Sequence, residues 1–216
     1  MTKQVRGLEA ASRLVAAAAT HALSRRGAPI LVAVDGASGA GKSSLAAAVA
    51  ALVEAVVVGS DDFFAASITN AEWEGRSPEE RAREAIDWRR MRRDALEPLL
   101  AGRAARWRPF DFGAGPRADG TYALSNQVEE RKPAPVIILE GAYSSRPELA
   151  DLIAISVLVE APADVREARL RARENPQFLL AWHGRWDEAE AHYFRIVRPR
   201  ARFDLVVAID KTRAKL

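Results

Sequence analysis

The chain contains no cysteine, which excludes disulfides, thiolate metal ligands and thiol nucleophiles. A reduced, cytoplasmic setting is compatible with that composition and is the expected location. No apolar run approaches the roughly 18 residues a membrane-spanning helix needs, so no membrane partner is expected. The opening Met1-Thr2-Lys3-Gln4-Val5-Arg6 lacks a continuous apolar stretch ahead of a cleavage site, so no signal peptide is expected either. Excess charge of one sign is also scarce: 32 basic against 29 acidic side chains leave a net +3. No basic block interleaves with aromatics, so no nucleic-acid partner is expected. Internal repeats and low-complexity linkers are missing. What remains is 216 residues at 49% hydrophobic content, enough for one domain spanning 1–216 with a central sheet covered by helices on both faces.

Against that plain background one segment stands out. Gly36-Ala37-Ser38-Gly39-Ala40-Gly41-Lys42-Ser43 fills every fixed position of G-x-x-x-x-G-K-[ST], with Ser44 directly behind it. Ile30-Leu31-Val32-Ala33-Val34 precedes it and reads as a buried parallel strand. The alanine-rich Ser44 to Val53 follows with strong helix propensity. Strand, glycine loop and helix together imply a nucleoside triphosphate site. Backbone N–H groups and the helix N-terminus cradle phosphate oxygens there. Lys42 would reach the β- and γ-phosphates, and the Ser43 hydroxyl would ligate Mg²⁺.

Further apolar runs alternate with helical patterns. A leading helix occupies about 7–26; Ala55 to Val58, Val136 to Leu139, Ile153 to Val159 and Leu205 to Ala208 read as strands. Helices are expected at Met91 to Leu100, Ala163 to Arg173 and Asp187 to Val197, with a break at Asn175-Pro176. The charge-rich stretch Ala65 to Ile86 reads as an exposed, mobile insertion. Arg106 to Phe112 and Thr121 to Leu124 read as a hairpin across a Gly/Pro turn. The expectation is an α/β three-layer sandwich of the P-loop NTPase kind, with a parallel sheet of about five strands.

Two strand ends carry carboxylates. In a parallel sheet of this kind the carboxyl ends of strands face the ligand. Glu140 closes the strand Val136 to Leu139 and is placed to hold Mg²⁺, or its water shell, beside Ser43. Asp61-Asp62 close the strand Ala55 to Val58. A carboxylate there would face the γ-phosphate from the acceptor side and orient or deprotonate an alcohol. Asp61 is the candidate base, and it also counts with Ser43 and Glu140 among the metal-side oxygens; Asp62 caps the next segment in the alternative reading.

The ordered set GASGAGKSS, Ser60-Asp61-Asp62-Phe63-Phe64, Pro109-Phe110-Asp111-Phe112, ILEG and His192 to Pro199 resembles the uridine kinase and phosphoribulokinase family of P-loop kinases, from about residue 29 to 208. The resemblance implies ATP and Mg²⁺ as cofactors, a small-molecule acceptor, Asp61 as catalytic base and Glu140 as metal assistant. It implies that Asp87 contacts sugar hydroxyls and that Phe110 and Asp111 line the acceptor pocket, within an acceptor-side insertion of about 62–130. It further implies a lid at about 169–186, on which Arg169 and Arg173 close over the triphosphate and Arg185 is a further candidate. Arg166 is expected to pack against the body. Uridine kinases are commonly oligomeric, which extends a homo-oligomer to this chain as an expectation. The sequence also departs from the family in the acceptor pocket. Phe110 stands where a tyrosine is usual, Gly113-Ala114-Gly115 replaces an expected histidine, and His192 matches a glutamine. A nucleoside is the first acceptor in line, followed by a sugar, pantothenate, glycerate or aminoglycoside-like alcohol. An NTP-driven switch is the competing class, and the lack of an Asn-Lys-x-Asp element argues against a guanine reader.

Overall fold

The computed structural model describes residues 4–173 and 176–209. In chain order it opens with β1 (Gln4–Arg6), α1 (Leu8–Arg26), β2 (Ile30–Asp35), α2 (Lys42–Ala50) and β3 (Ala55–Gly59). Short helices α3 (Asn70–Gly75), α4 (Pro78–Glu84), α5 (Trp88–Met91) and α6 (Glu97–Leu100) follow, the last two joined through a π-helical turn at Arg92–Leu96. Then come β4 (Ala105–Trp107), β5 (Glu129–Arg131), β6 (Val136–Glu140) and β7 (Ile153–Glu160). α7 (Ala163–Arg173), α8 (Pro176–His192), a π-helical turn at Tyr193–Val197 and β8 (Leu205–Ala208) complete it.

Six strands form one parallel sheet in the order β1-β8-β7-β2-β6-β3. β2 sits inside and is buried along its whole length, as a continuous apolar run covered on both faces must be. The period-2 alternation sorts its side chains. Ile30, Val32 and Val34 pack with Ala11, Val15, Ala19, Leu45 and Val49 of α1 and α2. Leu31 faces the opposite layer with Ile137 and Leu139, against Trp73, Met91, Leu96, Trp186 and Tyr193. Register aligns the functional edge: Glu140 pairs with Val34 on one side and Gly59 on the other. The carboxyl ends of β2, β6 and β3 therefore lie at one level, and the glycine loop, Glu140 and Asp61 emerge from the same edge.

The structure corrects several expectations. The sheet has six strands, because the three-residue β1 pairs with β8; a run so short leaves no periodic trace. The stretch Ala65 to Ile86 is not an open loop. Capping boxes at Thr69/Glu72 and Ser77/Glu80 start α3 and α4, which bury Trp73 and Ala82. The antiparallel ladder pairs β4 with β5, and the expected hairpin survives only as isolated bridges Phe110–Leu124 and Pro116–Tyr122. The final long helix starts at Pro176 rather than Asp187, since proline is accommodated in a first helical turn; Asn175 lies outside the described residues.

One glycine is required beside the site. Gly141 has φ 138°, and a Cβ there would lie 1.8 Å from the Ser60 Oγ and 2.9 Å from its Cβ. Ser60 is fully buried, and its hydroxyl donates to the Ala142 carbonyl. Gly141→Ala is expected to destabilise the fold by roughly 2–4 kcal/mol, from backbone strain plus overpacking. Urea unfolding checks this. Adding Ser60→Ala should recover only part of the loss, because the φ strain persists.

Candidate active site

The glycine loop wraps the N-terminus of α2, which begins at Lys42 itself. Gly39 has φ 77°, and a Cβ there would sit 2.7 Å from the Arg166 carbonyl oxygen, so the loop and α7 touch backbone to backbone. α7 fastens the loop from outside. Arg166 donates to the Ser38 carbonyl at 3.1 Å, and Arg169 to the Gly39, Ala40 and Ile209 carbonyls at 3.0, 3.1 and 3.0 Å. With its carbonyls drawn outward, the loop can turn N–H groups inward, the polarity an anion needs. Lys42 Nζ lies across the loop on the Ala37 carbonyl at 3.1 Å.

Lys42, Ser43, Asp61 and Glu140 line one cavity of about 350 Å³, within the range of small-ligand sites. The Ser43 hydroxyl donates to the Glu140 carboxylate at 3.1 Å. Burial, then the neighbouring Asp61, pushes the Glu140 pKa up, against the pull of Lys42 and Ser43. A hydroxyl beside crowded carboxylates is a hard-oxygen set that suits a divalent cation of the Mg²⁺ kind. Among the described residues no cluster of three or more His, Cys, Asp or Glu forms a cage. Mg²⁺ that shares its shell with substrate phosphates and water needs none.

Adjacent Asp61 and Asp62 part company in the 3₁₀ turn Ser60–Phe63. Asp61 opens to the cavity. Asp62 turns into the body, where its carboxylate accepts from the Trp107 indole N–H at 2.8 Å and burial raises its pKa. The rest of the cavity wall is mostly apolar: Phe64, Ala85, Ile86, Phe112, Leu170 and Trp186. Phe64 meets Trp186 edge-on at 5.3 Å. Tyr143, Glu190 and Arg173 add polar groups.

No protein-family model matches the chain, and no curated protein matches it. Solved structures do. A protein described provisionally as a fructose transport system kinase, from Silicibacter sp. TM1040, shares 27% identity at TM-score 0.63, over 90% of this chain and 98% of its own. A protein described provisionally as a uridine kinase, from Bacillus stearothermophilus, shares 16% identity at TM-score 0.58, over 90% and 99%. Both neighbours are P-loop kinases of the uridine kinase and phosphoribulokinase type, and the chain shares their fold. That likeness, together with the phosphate loop, supports an ATP-dependent small-molecule kinase.

In this fold the phosphate-side residues named from sequence come together, whereas the five acceptor-side ones lie off the cavity wall. Asp87 caps α5, accepting from the Arg90 N–H at 3.0 Å. Asp111 closes its own turn by accepting from the Gly113 and Ala114 N–H groups at 3.0 and 3.1 Å. Phe110 is buried against Phe64, Phe112 and Tyr122. Arg185 donates to Asn70 at 2.7 Å and pairs with Glu74. His192 is half-buried at the end of α8. Of the lid arginines, Arg173 lines the cavity, while Arg169 spends its donors on the loop carbonyls and acts as a positioning residue. Arg166 also packs on the loop. Residues 174–175 of the expected lid lie outside the described residues.

Sequence reasoning missed three residues. Glu190 of α8 accepts from the Ser38 N–H at 3.0 Å and from its hydroxyl. Asp35, fully buried at the end of β2, accepts from the Gly36 N–H at 2.8 Å, the Ser145 N–H at 2.8 Å and the Tyr193 hydroxyl at 2.9 Å. Tyr143 follows Glu140 by three positions. The signal available for Asp35 was a charge directly before the loop's first glycine; Glu190 looks like any helical glutamate.

Burial raises the Asp35 pKa from 3.8 to about 6, outweighing its three hydrogen bonds. A raised folded pKa means that its contribution to stability is complete below about 3.8 and is lost as pH rises to about 6. The two-unit shift corresponds to roughly 3 kcal/mol. The wild-type Tm minus that of the non-titrating Asp35→Asn is therefore expected to fall from pH 4 to about 6 and to level off above. A difference independent of pH would mean that Asp35 ionises as it does in the unfolded chain.

Proposed function

We propose that this kinase transfers the γ-phosphate of ATP to a hydroxyl of a small sugar-like alcohol, with Asp61 as general base. The observation that carries the reading is the divergence of two adjacent aspartates. Asp61 shares the cavity with Lys42, Ser43 and Glu140, while Asp62 is committed to Trp107. Asp61 would accept the acceptor's proton as its oxygen bonds to the γ-phosphorus and the bond to the bridging oxygen of ADP breaks. Lys42 would neutralise charge on the β- and γ-phosphates, with Arg173 supplying a further cation from α7. Ser43 and Glu140 would hold Mg²⁺, which supplies charge neutralisation on the phosphates. The aromatic wall would exclude water from the transfer and limit hydrolysis.

A nucleoside is the second reading. Phe64, Phe112 and Trp186 offer flat faces against which a base could pack. The groups that would hydrogen-bond a pyrimidine in the resembled family, matched by Phe110 and His192, lie off the wall, which favours the smaller sugar-like acceptor. The likeness to a protein named for fructose transport leans the same way.

Asp61→Asn is expected to cut acceptor-dependent ADP release by roughly 10²-fold or more, the usual scale for a general base. Calorimetric ATP affinity should stay nearly intact. The panel comprises sugars, nucleosides, pantothenate, glycerate and aminoglycosides. Weakened ATP binding with turnover spared would reassign Asp61 to the metal shell. Lys42→Ala should abolish transfer while leaving the folded far-UV signature, since it removes a phosphate charge and no packing group. Normal turnover in that variant would refute the phosphate-loop assignment.

A further inference from the structure

Tyr143 carries two costs at once. Its φ is 65°, the one positive value at a non-glycine position among the described residues. A bulky side chain in the left-handed region is strained by about 1–3 kcal/mol and persists only where its surroundings over-determine it. The side chain is 4% exposed, and its hydroxyl has no hydrogen-bond partner. A buried donor left unmade costs about as much again. Among the described residues, Tyr143 Oη is the one unpartnered buried side-chain polar atom whose residue lines the cavity.

Packing does not account for that hydroxyl. The ring stands edge-on to Tyr193 at 4.9 Å and 86°, a contact a phenylalanine would make equally well. Nearby polar groups are already engaged, Asp35 by Ser145 and Tyr193, and Glu190 by Ser38. Burial, then the carboxylates of Glu190, Asp35 and Asp61, holds the phenol ionisation well above its usual range, against Arg146. The group is a neutral donor in a carboxylate-rich corner. An anionic ligand oxygen is unwelcome there, and an uncharged hydroxyl or ring oxygen is suited to it.

Resting on the kinase reading above, we propose that Tyr143 is a specificity-determining residue whose hydroxyl donates to a second oxygen of the acceptor, selecting uncharged polyhydroxy compounds over carboxylate-bearing alcohols. Tyr143 lines the cavity, and an acceptor oxygen seated against it would complete the missing hydrogen bond.

The test compares wild type with Tyr143→Phe against fructose, ribose, uridine and glycerate, by acceptor KM in ADP release and by thermal shift with an ATP analogue present. Tyr143→Phe should raise the KM of the preferred uncharged acceptor roughly tenfold. The KM for ATP should be unchanged, the Tm without ligand unchanged or higher, and the acceptor-induced thermal shift lost. A deoxy analogue lacking the bonded oxygen should cost wild type the same factor and cost Tyr143→Phe nothing. An unchanged acceptor KM, a lowered ligand-free Tm, preference for glycerate, or no thermal shift with any of the three uncharged compounds would overturn the proposal. A Tyr143-dependent thermal shift without acceptor-dependent ADP release would uphold the Tyr143 contact and instead refute the kinase reading.

Discussion

A single carboxylate with no access to water ties the phosphate end together. Asp35 closes β2 and receives three donors from three parts of the chain: the first residue of the glycine loop, the segment after β6, and the turn after α8. Breaking one partner of such a buried charge costs several kcal/mol, so the three elements meet in one arrangement or not at all. Consequences spread outward from there. Tyr193, held by Asp35, backs the ring of Tyr143 on the cavity wall. Three residues earlier, Glu190 reaches the loop at Ser38. The loop, the segment after Glu140 and the cavity wall are thus positioned by one joint.

The Glu190 contact has the opposite electrostatic character. Its carboxylate sits on a loop whose N–H groups suit phosphate, and it lines the same cavity as Asp61 and Glu140. Like charges in a partly dry cleft repel far more strongly than in water. Burial already pushes Glu140 toward its neutral form, with Asp61 adding to the effect. A cation beside Ser43 would relieve that crowding, whereas a triphosphate would oppose Glu190.

How much of this was legible in the sequence follows from where each property resides. The loop was readable because its chemistry belongs to the backbone: glycines at fixed spacing, with a strand before and a helix after. Glu140 and Asp61 were readable because register brings strand ends to one level. β1 was invisible, since three residues carry no period. The charge-rich insertion misled by composition, although both capping boxes, Thr69 with Glu72 and Ser77 with Glu80, were present to be read.

The residues expected on the acceptor side lie off the cavity wall for a different reason. Asp87, Asp111 and Arg185 are residue types that bind sugars well; the two aspartates are captured locally, by a helix start and a turn, and Arg185 is held across the fold by Asn70. Short polar side chains compete for nearby backbone groups, and a sequence does not reveal which side wins. Tyr143 shows the converse. Its hydroxyl is informative because none of the described residues captures it, a property that exists only once packing is complete. Phosphate recognition is written in spacing and survives translation from one sequence to another. Acceptor recognition is written in which polar atoms remain unpaired after folding, so a shared fold leaves it undetermined.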